Sequence, residues 1–95
     1  MQVKWTEPAA RALESIQDYI AKEKPRAAFE MAQKIRHATE QLNDHPKLGR
    51  TGRVRGTYEL VITGIPYIVP YRVKGKEVHI LSVHHAARKW PEAFE

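Results

Sequence analysis

Apolar side chains recur at every second position over much of the stretch between residues 58 and 83, and this alternation limits what the chain can fold into. It continues through three runs, residues 58–63, 65–73 and 77–83, with the period of β-strands rather than helices. Lys74-Gly75-Lys76 separates the last two runs, as the short Gly-containing connection of a hairpin does. The pattern predicts a three-stranded antiparallel meander.

Pro70 lies inside the middle run of the predicted meander. Proline has no backbone N–H, so it is found in sheets on edge strands or at bulges. The sequence leaves both alternatives open.

The sequence before the meander predicts one short strand and two helices. Residues 2–5 form the strand, and Thr6 is placed to cap a first helix from about Glu7 to Lys22. Pro25 is suited to the first turn of a second helix that reaches about Asn43. The expected fold is therefore α+β: an N-terminal strand, a helical hairpin and the meander, as a single domain over residues 1–95.

Charge is distributed unevenly along the chain. Residues 1–45 carry seven basic and seven acidic side chains, whereas residues 46–95 carry nine and four. The excess indicates an acidic partner, either nucleic acid or an acidic polypeptide, although such an excess can also serve solubility alone. The sequence contains no cysteine, which excludes disulfides and thiolate metal sites. We expect neither a metal nor a cofactor.

A basic loop, defined here as residues 47–56, precedes the meander. It carries Lys47, Arg50, Arg53 and Arg55, with glycines among them and no acidic residue. Glycine at this density disfavours a helix or a strand. We expect Arg50, Arg53 and Arg55 to contact a partner, or else to be solvated surface residues.

The end of the chain carries the residues best suited to chemistry. His84 and His85 can exchange protons near neutral pH, but as strand neighbours they face opposite sides. On one continuous strand His79 and His85 share a face about 20 Å apart, too far to bind one metal ion. Arg88 and Trp90 form a typical interface pair, or Trp90 folds back onto the sheet.

Five segments together resemble the RelE/ParE superfamily of bacterial type II toxins. They are WTEPA (5–9), HPKLGR (45–50), GRVRGTYELV (52–61), PYIVPYRV (66–73) and HHAARKWP (84–91). The resemblance covers nearly the whole chain, and the predicted strand order is that of the family.

No stretch of the sequence approaches the eighteen apolar residues of a membrane span. The resemblance implies a cytoplasmic toxin, associated with plasmid stabilisation and growth arrest. Its expected partner is a cognate antitoxin whose acidic, partly disordered segment wraps the toxin in a hetero-oligomer and folds on binding.

The superfamily contains two mechanisms. The ParE-like branch inhibits DNA gyrase by binding and is no enzyme, whereas the RelE-like branch is an endoribonuclease that cleaves mRNA on the ribosome. The positions where the nuclease branch places catalytic side chains correspond here to Ile68, Ala86 and Ala87. The resemblance therefore favours the ParE-like branch, with Arg50, Arg53, Arg55, Arg88 and Trp90 as target- or antitoxin-binding residues. In the alternative endoribonuclease, His84, His85 and Arg88 are the catalytic candidates.

Overall fold

The computed structural model describes residues 1–94 and has the expected α+β order. The elements are β1 (Gln2–Trp5), α1 (Glu7–Ala21), α2 (Pro25–Glu40), a 3₁₀ turn (Gln41–Asn43), β2 (Arg50–Thr51), β3 (Tyr58–Val61), β4 (Tyr67–Lys74), β5 (Glu77–Ile80) and β6 (His84–His85).

The sheet is larger than the predicted meander. Strands β3, β4 and β5 pair antiparallel as expected, β1 joins β5 in parallel, and the order across the sheet is β1-β5-β4-β3-β2. Strand β6 returns to pair with β4. The expectation that the basic loop contains no strand was wrong at Arg50–Thr51, because this pair forms β2 against Tyr58 and Glu59.

The helical hairpin covers one face of the sheet. Thr6 caps α1 as predicted, since its hydroxyl accepts from the Ala9 N–H, and it also donates to the Ile80 carbonyl at 2.7 Å. This second bond fixes the start of α1 to the end of β5. The core between helices and sheet is lined by Ala9, Leu13, Ala32, Ile35, Val69, Tyr71, Val78 and Ile80, all nearly inaccessible to solvent.

A β-bulge lies beside Pro70. The register pairs Tyr71 with Ile80 and Ile68 with His84, so two residues of β4 face the three residues 81–83. The Pro70 carbonyl accepts from the Leu81 N–H on this side, and in a strand the nitrogen of the same residue points to that side as well. The missing donor of Pro70 therefore faces the bulge, where the regular ladder is interrupted.

The second face of the sheet is covered only in part. The basic loop lies over it and buries Val54, and the pairing of β6 brings His84 and the residues after it to this face. Arg72 and His79, on the rest of this face, are partly exposed.

Candidate functional site

A groove of about 960 Å³ runs between α2 and the outer edge of β3. We call it the α2–β3 groove. Its apolar lining includes Phe29, Leu48 and Val61, which are 61%, 51% and 54% exposed. Lys34 and Arg50 also line it, together with Glu30 and Glu59, which pair with Arg26 and Arg50. Large exposed apolar groups beside cations indicate a surface for a polypeptide with both apolar and acidic side chains.

The edge of β3 along this groove is open. Strand β2 pairs with β3 only at Tyr58 and Glu59, so among the residues that the structure describes no strand pairs with the outer edge of Leu60 and Val61. An open edge presents backbone N–H and C=O groups that an added strand can bind. Strand pairing and apolar contact are therefore possible in one place.

Glu59 organises the basic loop from the adjoining face of the sheet. Its side chain is 1% exposed. Arg50 donates to Oε1 through Nε and Nη2 at 3.1 and 2.9 Å, and the Arg53 backbone N–H donates to Oε2 at 2.7 Å. Burial of a carboxylate is costly unless such donors surround it. The alternation of β3 gives no sign of this burial, and sequence reasoning missed the residue.

The basic loop is also held by its own compact turn. The Gly52 N–H donates to the Thr57 carbonyl at 2.8 Å, and a Cβ on Gly52 would lie 2.2 Å from the Thr57 hydroxyl oxygen. The Thr57 hydroxyl donates to the Val54 carbonyl at 2.6 Å. Arg50 and Arg53 are thus presented by a defined loop rather than by a loosely solvated segment.

Trp90 packs back on the sheet, in a contact set that we call the Trp90 cluster (Arg53, His84, Trp90 and Phe94). The Arg53 guanidinium carbon lies 4.4 Å from the centre of the Trp90 ring, within the range of cation–π attraction. The rings of His84 and Phe94 lie 4.7 and 6.0 Å from it. The cluster joins the basic loop to the end of the chain.

His84 and His85 face opposite sides of the sheet, as the sequence predicted. His84 contacts Trp90 and hydrogen-bonds to the Lys89 carbonyl, whereas the His85 ring packs edge-on against Tyr67 at 5.3 Å. The expectation that His79 and His85 share a face was wrong. His79 pairs with Arg72, on the face of His84, because the extra residue of the bulge reverses the alternation after it.

Arg88 lines a second groove together with His84 and His85, so the three catalytic candidates of the alternative endoribonuclease share one groove. Trp90 is not among the residues that line it and belongs to the Trp90 cluster. Arg55 is exposed, and its carbonyl accepts from the Arg72 guanidinium at 3.5 Å. The structure therefore brings Arg53 and Trp90 together and places Arg50 at the α2–β3 groove.

A separate charged group lies on the neighbouring strands β1 and β5 and consists of Lys4, Glu77 and His79. Glu77 accepts from His79 and pairs with Lys4, each at 2.9 Å. The hydrogen bond from His79, together with that from Lys4, lowers the pKa of Glu77 below its usual range.

The part of the chain that the structure describes contains no group of three or more His, Asp or Glu side chains placed to hold a metal ion. None of the helices within residues 1–94 is long and apolar enough to cross a membrane.

The comparisons with known proteins give one consistent family. The family model described as "ParE toxin of type II toxin-antitoxin system, parDE" matches residues 3–90. The protein Y4kP of Sinorhizobium fredii, whose name describes a candidate toxin, is 43% identical over 98% of this chain and 96% of its own length. Toxin RelE2 of Caulobacter vibrioides is 40% identical over 92% and 97%.

A solved structure agrees with these matches. A chain from the chromosomal ParDE toxin–antitoxin system of P. aeruginosa superimposes with a TM-score of 0.81 at 33% identity, over 90% of this chain and 95% of that chain.

Proposed function

Because the chain belongs to the ParE toxin family of type II toxin–antitoxin systems, we propose that it acts in the cytoplasm by binding and inhibiting DNA gyrase. A cognate antitoxin neutralises it. The observation that carries this proposal is that His84 and His85, which line one groove together with Arg88, turn their rings to opposite faces of the sheet, where they pack against Trp90 and Tyr67.

The divergence of the two imidazoles supports binding rather than RNA cleavage. A general acid and a general base must reach the same ribose and phosphate to cleave RNA, and His84 and His85 face opposite sides of the sheet. Ile68, which corresponds to a catalytic position of the nuclease branch, is 5% exposed and apolar. An activity that depends on surface contacts requires none of these groups to react.

The α2–β3 groove supports the proposal of an antitoxin. A polypeptide segment that adds a strand to the edge of β3 gains backbone hydrogen bonds there. Its apolar side chains contact Phe29 and Val61, and its acidic side chains meet Lys34 and Arg50. The net charge of +5 increases the rate at which an acidic segment associates.

The Trp90 cluster is the surface that we assign to the target. It combines an arginine with three aromatic rings, and Arg and Trp are enriched among residues that dominate binding energy. It lies on the sheet face away from the helical hairpin.

The test is a supercoiling assay with purified gyrase, run beside a cleavage assay with ribosomes programmed with a message. We expect loss of supercoiling or trapped cleaved DNA, and an intact message. Addition of the cognate antitoxin before gyrase should restore supercoiling. A cut message with unaffected gyrase overturns the proposal and moves the activity to the ribosome, the alternative suggested by the name of the Caulobacter relative.

A further inference from the structure

Glu59 touches both surfaces assigned above. It lines the α2–β3 groove together with Arg50, and through its other carboxylate oxygen it holds the backbone of Arg53, whose guanidinium stacks on Trp90. One buried carboxylate therefore lies between the groove and the Trp90 cluster.

The two arginines are bound to Glu59 unequally. Arg50 makes two hydrogen bonds to Oε1, whereas the Arg53 guanidinium is 3.8 Å from Oε2 and is shared with the Trp90 ring. Both arginine side chains are about half exposed, at 53% and 48%, so each can move.

Loss of Arg50 from this arrangement has a defined physical consequence. Oε1 would lose both of its hydrogen bonds, and a carboxylate with fewer donors favours the closer approach of another cation. Arg53 is the cation already paired with the same carboxylate. If its guanidinium moves onto the carboxylate, its contact with the ring weakens.

We propose that Glu59 is a positioning residue that couples the α2–β3 groove to the Trp90 cluster, so that withdrawal of Arg50 from Glu59 draws Arg53 away from Trp90. An acidic side chain of the antitoxin, bound in the groove, is the group that withdraws Arg50. Binding in the groove then alters the target surface without covering it. This regulation rests on the proposed function only for the identity of the acidic partner.

The experiment uses Trp90 as its own reporter. The chain has two tryptophans, and Trp5→Phe leaves Trp90 as the sole emitter in the full-length protein. In this parent we would compare Arg50→Ala with Arg26→Ala, a matched control whose guanidinium pairs with Glu30 on α2. The readouts are the emission maximum and quenching by acrylamide, a neutral quencher.

We expect Arg50→Ala to shift Trp90 emission to longer wavelength and to increase quenching, and Arg26→Ala to leave both unchanged. The change should vanish when Arg50→Ala is made in a Glu59→Gln background, because the coupling passes through the carboxylate charge. Purely local effects of Arg50 would persist there.

Two results overturn the proposal: Trp90 emission and quenching unchanged by Arg50→Ala, or an equal change with and without the Glu59 carboxylate. If the Glu59→Gln variant does not unfold cooperatively, a double-mutant cycle of Arg50→Ala and Arg53→Ala replaces that comparison. Additive effects of the two substitutions on Trp90 emission would then overturn the coupling. Since no step involves gyrase, an incorrect target assignment would leave these outcomes unaffected.

Discussion

The backbone N–H of Gly49 donates a hydrogen bond of 2.8 Å to the hydroxyl of Tyr71. Tyr71 is fully buried in the middle strand β4, and Gly49 lies in the segment that leads from the helices to the basic loop. The bond therefore fixes the entry to the basic loop relative to the core.

Tyr71→Phe should lower the free energy of unfolding by about 1 to 3 kcal/mol, because it leaves the Gly49 N–H without its partner. Urea denaturation measures the change. Tyr58→Phe is the matched control, since the two rings stack at 5.4 Å and the ring is retained in both variants. We expect less than about 0.5 kcal/mol for the control. Equal effects would show that the hydrogen bond contributes nothing specific.

Gly49 is also required for its lack of a side chain. A Cβ there would lie 2.8 Å from the Glu59 carbonyl oxygen and from the Tyr71 hydroxyl. Gly49→Ala should therefore cost about 3 kcal/mol through overpacking against the backbone.

Gly75→Ala provides the comparison for this substitution. Gly75 has φ +61°, and no other group lies within 4 Å of the position that a Cβ would occupy there, so only conformational strain of about 1 kcal/mol is expected. Thermal or urea unfolding of both variants decides the point, and a larger loss for Gly75→Ala would contradict the packing argument.

Glu77 should make stability depend on pH in the acidic range. Its folded-state pKa lies below the ordinary value of 4.5, first through the hydrogen bond from His79 and then through Lys4. A lowered pKa stabilises the fold above the unfolded pKa, and this contribution is lost as pH falls through the folded pKa. Glu77→Gln should flatten that part of the stability curve.

Carbon-detected NMR titration of Glu77 tests directly which hydrogen bond lowers its pKa. We expect His79→Ala to raise the pKa of Glu77 more than Lys4→Ala does, following the order of the two hydrogen bonds. The reverse order would assign the shift mainly to the lysine.

Local patterns predicted most of the fold because each element carries its own signal. The alternation from Tyr58 onward, the Thr6 cap and the proline at the start of α2 act within a few residues. The bulge remained one of two alternatives because a proline disfavours a regular central position without distinguishing a bulge from an edge strand. The register of the partner strand distinguishes them, and the sequence does not contain that register.

The functional surfaces were harder to predict because they depend on contacts between distant segments. Phe29 and Val61 line the same α2–β3 groove although each belongs to a different element, and neither was a sequence candidate. Glu59 occupies an alternating position that favours solvent exposure, yet the basic loop folds over it. Tertiary placement overrides the strand period in both cases.

The α2–β3 groove should determine neutralisation by the antitoxin. Phe29→Glu replaces an exposed apolar contact with a charge that repels an acidic segment, and we expect affinity to fall at least about tenfold. Calorimetry with the cognate antitoxin measures the loss. Tyr19→Glu is the control, because Tyr19 is an exposed aromatic residue on α1 outside this groove. Weakening by both variants alike would place the antitoxin elsewhere.

Arg88 and Trp90 should be required for toxicity but not for neutralisation of the toxin by the antitoxin. Arg88→Ala combined with Trp90→Ala removes the exposed cation near the chain end and the central ring of the Trp90 cluster. Trp and Arg contacts of this kind contribute on the order of 2 kcal/mol or more at interfaces, so we expect loss of growth arrest on induction. The antitoxin should still bind at least as tightly as to the wild type, because the α2–β3 groove is unchanged and the Arg53–Trp90 contact no longer opposes binding there. Lys24→Ala, in the exposed turn between the helices, is the control for removal of a cation. Growth arrest by the double variant equal to that of the wild type would exclude the chain end from the target surface.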